Sequence, residues 1–248
     1  MRLPTHVLAI LCILCAASMG FASGSQEPGF EDESRVVGSG RSATENRTVT
    51  AFTGIDLQGH GKVLLTIGSP RSLSVSADDN LLRIIRTDVV GGTLRMGFQP
   101  GTTARTWAPL VFRITVPRIE ELSISGSGDI VGQSVIRADR LVVSIGGSGD
   151  IRAEIAVEEI AASIHGSGNI DLSGRADSQG VRINGSGDYR ARELESTDAR
   201  VEIYGSGHVM IFVSRDLAVS TFGSGDVRYH GDPRVTVTSS GSGTVRRE

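Results

Sequence analysis

The tripeptide Gly-Ser-Gly begins at residues 126, 147, 166, 185, 205, 223 and 241 of this 248-residue chain. The intervals are 21, 19, 19, 20, 18 and 18 residues. A flexible linker has no reason to keep a period, so seven copies mark a structural repeat. The flanks repeat too. Two positions before each tripeptide stand Ile124, Ile145, Ile164, Ile183, Ile203, Thr221 and Ser239. Four positions after its first glycine stand Ile130, Ile151, Ile170, Tyr189, Val209, Val227 and Val245. The residues between are mostly polar. Period-two alternation in β-branched residues means strands with one buried face, and helical spacing is absent.

A repeat of about 19 residues cannot bury its own apolar face, but stacked copies can, Ile over Ile and Val over Val. The predicted fold is all-β: a parallel β-helix of about seven Gly-Ser-Gly-cornered rungs, preceded by a β-rich N-terminal section. Neighbouring rungs lie about 4.8 Å apart. Glycine at the corners supplies positive φ and lets adjacent backbones approach closely. In the N-terminal section, strands are expected near 47–52, 55–58, 62–67, 72–77, 83–89, 93–98 and 110–117. A short helical turn is expected at Asp79–Leu82. Gly59-His60-Gly61 resembles the corner tripeptide, so irregular coils are expected to begin there. This section would cap an otherwise open edge. Trp107 is expected to anchor into the core.

The chain starts with a short basic stretch, then an apolar run from Val7 to Ala17, then small residues. That pattern predicts a secretory signal peptide over 1–22, cut after Ala22. The run is too short to span a bilayer, and no later stretch is apolar enough to do so. Cys12 and Cys15 both lie inside it, so no thiol chemistry is expected in the mature chain. Leu14 before Cys15 argues against a lipid anchor there. Residues 23–46 read as a linker of acidic and small residues leading into the domain. The N-terminal β section follows over 47–120 and the repeat β-helix over 121–248, with 47–248 one continuous domain. The predicted location is exported: periplasm, outer surface or secreted. With 25 Lys+Arg against 28 Asp+Glu, the chain is no polybasic nucleic-acid binder.

Three constellations carry possible chemistry. The residues after each Gly-Ser-Gly form a column containing Asp129, Asp150, Asp188 and Asp226. Stacked oxygen ligands would suit a hard cation. Asn169, His208 and Thr244 interrupt the run, which favours turn chemistry, where Asp bonds its own backbone. No metal or cofactor is expected. Asp150, Arg152, Asp188 and Arg190 are the nearest candidates for polysaccharide cleavage, but every rung offers the same chemistry and no insertion forms a cleft. One position before each tripeptide, His165, Asn184, Tyr204 and Phe222 should line up outward on successive rungs. Such a stripe can bind a surface glycan or a protein, unless a loop or a second copy covers it. Arg182 and Glu202 should pair beside it. The last rung offers an edge for homo-oligomerisation.

Several stretches together resemble a known bacterial family. They are Val36-Val37-Gly38-Ser39-Gly40, Ala51–Leu57, Gly59–Val63, Ala77–Leu82 and Gly92-Thr93-Leu94, followed by the serial Gly-Ser-Gly-Asp-Ile copies. The resemblance is to the auto-transporter adhesin head, or GIN, domain family, over about Val36 to Glu248. It implies an exported β-helical domain and carries over no catalytic residues. The expected function is a non-catalytic exported binding module, adhesin-like. A periplasmic structural scaffold is the alternative, and a polysaccharide-cleaving enzyme the third.

Overall fold

The computed structural model describes residues 35–248. The expected signal peptide, Cys12, Cys15 and part of the expected linker lie outside the described residues.

The N-terminal section holds β1 (Arg35–Val37), β2 (Ser42–Arg47), β3 (Gly54–Gly59), β4 (Lys62–Ile67) and β5 (Ser72–Asp78). A single 3-10 turn, Leu82–Ile84, leads into β6 (Ile85–Val90), β7 (Thr93–Phe98), β8 (Thr103–Arg105) and β9 (Val111–Val116). The repeat section begins with β10 (Glu121–Gly126), β11 (Asp129–Gly132), β12 (Ile136–Gly147) and β13 (Asp150–Gly166). It continues through β14 (Asn169–Gly185), β15 (Asp188–Gly205), β16 (Val209–Phe212) and β17 (Asp216–Gly223). It closes with β18 (Val227–His230), β19 (Arg234–Gly241) and β20 (Val245–Arg247).

Every pairing within the repeat section is parallel, one rung on the next, as a β-helix requires. Ile145 pairs with Ile164, Ile164 with Ile183 and Ile183 with Ile203. Ile151, Ile170, Tyr189, Val209 and Val227 form a second column inside the coil. All of these are buried. Each such side chain contributes roughly 1.5–3 kcal/mol on leaving water.

Stacking leaves no room for a Cβ at either glycine of a corner, and the first is required by its backbone as well. Gly185, the first of its tripeptide, has φ of 140°, which side chains with a Cβ rarely adopt. Gly187, the second, is excluded from substitution by stacking. A Cβ there would lie 2.1 Å from the carbonyl oxygen of Gly168 on the rung before.

The Gly59-His60-Gly61 corner sits directly against Gly126-Ser127-Gly128: Gly126 pairs with Gly59, and the Ser127 amide donates to the Gly59 carbonyl. Beyond it β7 and β9 pair in parallel with β3 and β4. Antiparallel strands then close this end, β6 on β7, β5 on β9 and β2 on β5. At the far end β19 and β20 pair only with β17 and β18 among the described residues.

Two expectations need correction. The strand expected at 47–52 is Ser42–Arg47, all but its last residue in the stretch assigned to linker. Its polar sequence gives no strand signal; pairing with β5 creates it. Phe52 instead packs into the core as the chain crosses to β3. Trp107 is not a core anchor: it is 60% exposed, and Ala108 and Leu110 take the buried positions.

Candidate functional site

The pleat directs His165, Asn184, Tyr204 and Phe222 away from the core, one residue beyond each buried column position. The register sets them side by side: His165 opposite Asn184, Asn184 opposite Tyr204, Tyr204 opposite Phe222. Tyr204 and Phe222 are stacked, with ring centroids 5.0 Å apart and planes 7° apart. Both are more than 40% exposed, so no loop of the described chain covers them. Beside them Arg182 and Glu202 pair across rungs at 2.6 Å, and Arg200 holds the second carboxylate oxygen of Glu202. The Arg200 and Arg182 hydrogen bonds hold the Glu202 carboxyl below its usual range.

Around the corner lies a charged face. From Asp150 onward its column alternates a carboxylate with a donor: Asp150, Asn169, Asp188, His208, Asp226, Thr244. Asp150 Oδ1 accepts from the Asn169 side-chain amide at 2.8 Å. Asp188 Oδ1 accepts the His208 backbone N–H at 3.1 Å. Asp226 Oδ1 accepts both the N–H and the hydroxyl of Thr244, at 2.9 and 2.7 Å. Two of the interruptions, Asn169 and Thr244, therefore donate with their side chains, and His208 donates with its backbone. These bonds reach the next rung, whereas the expected turn chemistry kept them within one. Alternation also keeps those carboxylates two rungs apart, about 10 Å, where their repulsion is weak.

Two arginines complete the lattice. Arg152 bridges Asp150 and Asp171 at 3.1 and 3.0 Å. Arg190 bridges Asp171 and Asp188 at 3.2 and 2.8 Å. Partial burial works against the Arg190 charge, and Asp171 with Asp188 overcomes it, holding its pKa above the usual value. The four residues considered for catalysis, Asp150, Arg152, Asp188 and Arg190, are thus brought together, but as partners of one another. The metal candidates Asp129, Asp150, Asp188 and Asp226 are spread along the column. Among the described residues no group of three or more His, Cys, Asp or Glu is arranged to hold a metal ion.

Over this face a cleft of about 440 Å³ is lined by Arg152, Asp171, Leu172, Arg190 and Arg192. A β-bulge lies in its wall: Asp171 pairs with Arg190, but Ser173 pairs with Glu193, so β15 carries one extra residue. The sequence signal is the 20-residue interval between Gly185 and Gly205, following two of 19.

No curated protein matches this chain. The fold matches several solved structures. A putative adhesin from Bacteroides fragilis superposes with a TM-score of 0.82 at 21% identity, covering 86% of this chain and 100% of that one. A putative lipid binding protein from Parabacteroides distasonis gives 0.75 at 23%, covering 86% and 99%. A putative adhesin from Parabacteroides merdae gives 0.69 at 22%, covering 87% and 99%. None is described as an enzyme. Among the described residues no helix is long and apolar enough to cross a membrane. Residues 51–233 match the family described as putative auto-transporter adhesin, head GIN domain, and the chain belongs to that family.

Proposed function

We propose that this chain is a non-catalytic, exported binding module whose contact surface is the His165–Asn184–Tyr204–Phe222 stripe, and that its partner is a surface glycan or a protein. The observation that carries this is the uncovered Tyr204–Phe222 stack on adjacent rungs. Exposed aromatic rings on a rigid sheet offer apolar area with little ordering cost on binding. The internally paired carboxylates of the neighbouring face support a role without catalysis. Part of the same proposal is a second copy meeting the one-sided strands β19 and β20; a mass by light scattering that stays monomeric at all concentrations would remove it.

The test is protease treatment of intact cells, reading peptides from residues 47–248 by mass spectrometry. Release from unbroken cells supports a surface module. A glycan and host-protein screen then follows, with Tyr204→Ser and Phe222→Ser expected to abolish the hit. Peptides that appear only after the envelope is opened would end the adhesin reading and favour a periplasmic scaffold.

A further inference from the structure

The outward face that carries the stripe also holds a trough. One column along this face runs Val142, Ala161, Gly180 and Arg200, and the next runs Ser144, Ser163, Arg182 and Glu202. Side chains in the first column shrink to nothing at Gly180 and then rise to an arginine. The step leaves a trough of about 350 Å³, lined by Val142, Ala161, Ser163, Arg182, Arg200 and Glu202. Small-ligand sites take roughly 300–1,000 Å³, with an apolar lining and a few placed polar groups. Val142, Ala161 and Gly180 give this trough its apolar floor, and all of its charge lies on Arg182, Arg200 and Glu202.

That charge does not balance. Arg182 donates from one nitrogen to Glu202 Oε2 at 2.6 Å, and Arg200 holds Oε1 through two nitrogens, each at 2.9 Å. Both oxygens of Glu202 are thus occupied, and its side chain is only 14% exposed. Both arginines are exposed, and Arg182 Nε and Nη1 and Arg200 Nη1 have no acceptor among the described residues. Asp198, two residues before Arg200, is held by Arg215.

The neighbouring charged face shows what is missing. There each arginine spans two carboxylates, Arg152 between Asp150 and Asp171 and Arg190 between Asp171 and Asp188. In the trough two arginines share one. A guanidinium meets a carboxylate through paired N–H groups, and Glu202 already holds both guanidiniums in place. The unfilled position therefore suits a carboxylate supplied by a ligand.

The floor decides what carries that carboxylate. A sugar ring has a C–H face for Ala161 and Gly180 and rim hydroxyls for Ser163, whereas an acidic peptide brings the charge without the ring. Two residues on from Arg182 and Glu202 stand Asn184 and Tyr204, on the same face and about 7 Å farther along the strands. An adjoining sugar there meets the Tyr204 ring and the Asn184 amide. We propose that the trough binds a carboxylate-bearing sugar of a glycan, a uronic or sialic acid, through Arg182 and Arg200, with the adjoining sugar on Tyr204. The inference rests on the reading of this face as the contact surface and names its ligand.

The purified protein is titrated by calorimetry with oligogalacturonate, with a sialylated oligosaccharide, with the methyl ester of whichever binds, and with oligoglutamate. At least one acidic sugar is expected to bind, more weakly in high salt. The methyl ester keeps the ring and removes the charge, and oligoglutamate keeps the charge and removes the ring; neither is expected to bind. Arg182→Gln and Arg200→Gln are each expected to weaken binding about tenfold. Ala161→Gln, which fills the floor, is expected to abolish binding with an unchanged melting temperature. Arg152→Gln, on the neighbouring face, is expected to bind as the parent protein does. Binding of neither acidic sugar, equal binding of the methyl ester, equal binding of oligoglutamate, or full binding by Arg182→Gln and Arg200→Gln would each overturn the proposal. A neutral glycan bound through Tyr204 without an acidic sugar would overturn it too, and would leave the stripe standing as the contact surface.

Discussion

The phenol of Tyr189 donates a 2.8 Å hydrogen bond to Oε1 of Gln179, and both side chains are buried inside the coil. The amide of Gln179 passes on to the Ser196 hydroxyl at 2.8 Å, and Ser196 donates to the Phe212 carbonyl at 2.6 Å. Tyr189 stands where neighbouring rungs carry Ile170 and Val209, and Gln179 where they carry Ile160 and Ala199. A phenol entering an aliphatic column thus comes with its own acceptor. Burial pushes the Tyr189 pKa far above its usual value, so it remains a donor in the folded protein.

Removing that donor leaves Gln179 Oε1 buried without a partner. Tyr189→Phe is therefore expected to cost about 1–3 kcal/mol, read from denaturant unfolding. The double variant Tyr189→Phe, Gln179→Met removes both ends and should recover part of the loss. A Tyr189→Phe protein as stable as the parent would mean the network contributes nothing net.

Two glycines, one in a corner and one within β14, offer a sharper comparison. Gly187→Ala drives a methyl to 2.1 Å from the Gly168 carbonyl, and the rung spacing leaves no room to yield. The expected cost is about 3 kcal/mol or more. At Gly180 the nearest atom to an added methyl is 3.8 Å away, and the site is exposed. Gly180→Ala is expected to be neutral or to stabilise by about 0.5 kcal/mol, since it narrows the unfolded ensemble. Melting temperatures of the two variants check this directly; similar values would contradict the stacked-corner geometry.

Much of this was legible in the sequence. Seven tripeptides at a near-constant interval encode both the coil and its register, because each residue type recurs at the same place in every rung. The outward placement of His165, Asn184, Tyr204 and Phe222 followed from the period-two pleat alone. The capped end was less legible, for a physical reason. β2 is Ser42-Ala43-Thr44-Glu45-Asn46-Arg47, with no apolar alternation, and it is a strand only because β5 lies beside it. Trp107 was misplaced because a large apolar side chain in a loop gives no periodicity to assign it a side. The β1–β8 pairing joins residues about 70 positions apart through three-residue strands, too short to carry a pattern.

The capped end is held by one buried carboxylate. Asp78 Oδ1 accepts the Gly40 amide at 2.7 Å, and Oδ2 accepts those of Trp107 and Ala108 at 3.0 and 3.2 Å. It joins two separate loops to β5. Asp78→Ala leaves three amides without that partner and is expected to cost at least about 2 kcal/mol. Asp78→Asn keeps one acceptor oxygen and should fall between. Hydrogen exchange at Gly40 and Ala108 is expected to rise more than exchange in β13–β15, because the damage is local. Uniform acceleration across the coil would show instead that the cap sets the stability of the whole stack.

The pH dependence follows from the direction of one shift. The hydroxyl and backbone amide of Thr244 hold the Asp226 carboxyl below its ordinary value of 3.8, and His208 and Arg246 add to this. In the unfolded chain those bonds are gone, so the unfolded state binds its proton at higher pH than the folded state. Stability from this group is therefore present above pH 3.8 and is lost as pH falls through the lower folded value. The group is solvent-exposed, so its share is small and reduced by salt. Thr244→Val removes the hydroxyl donor and keeps the backbone one. That variant should show a shallower loss of stability on acidification below pH 4, with little change at pH 7. An acid limb identical to the parent's would show that the Thr244 hydroxyl does not set the Asp226 titration.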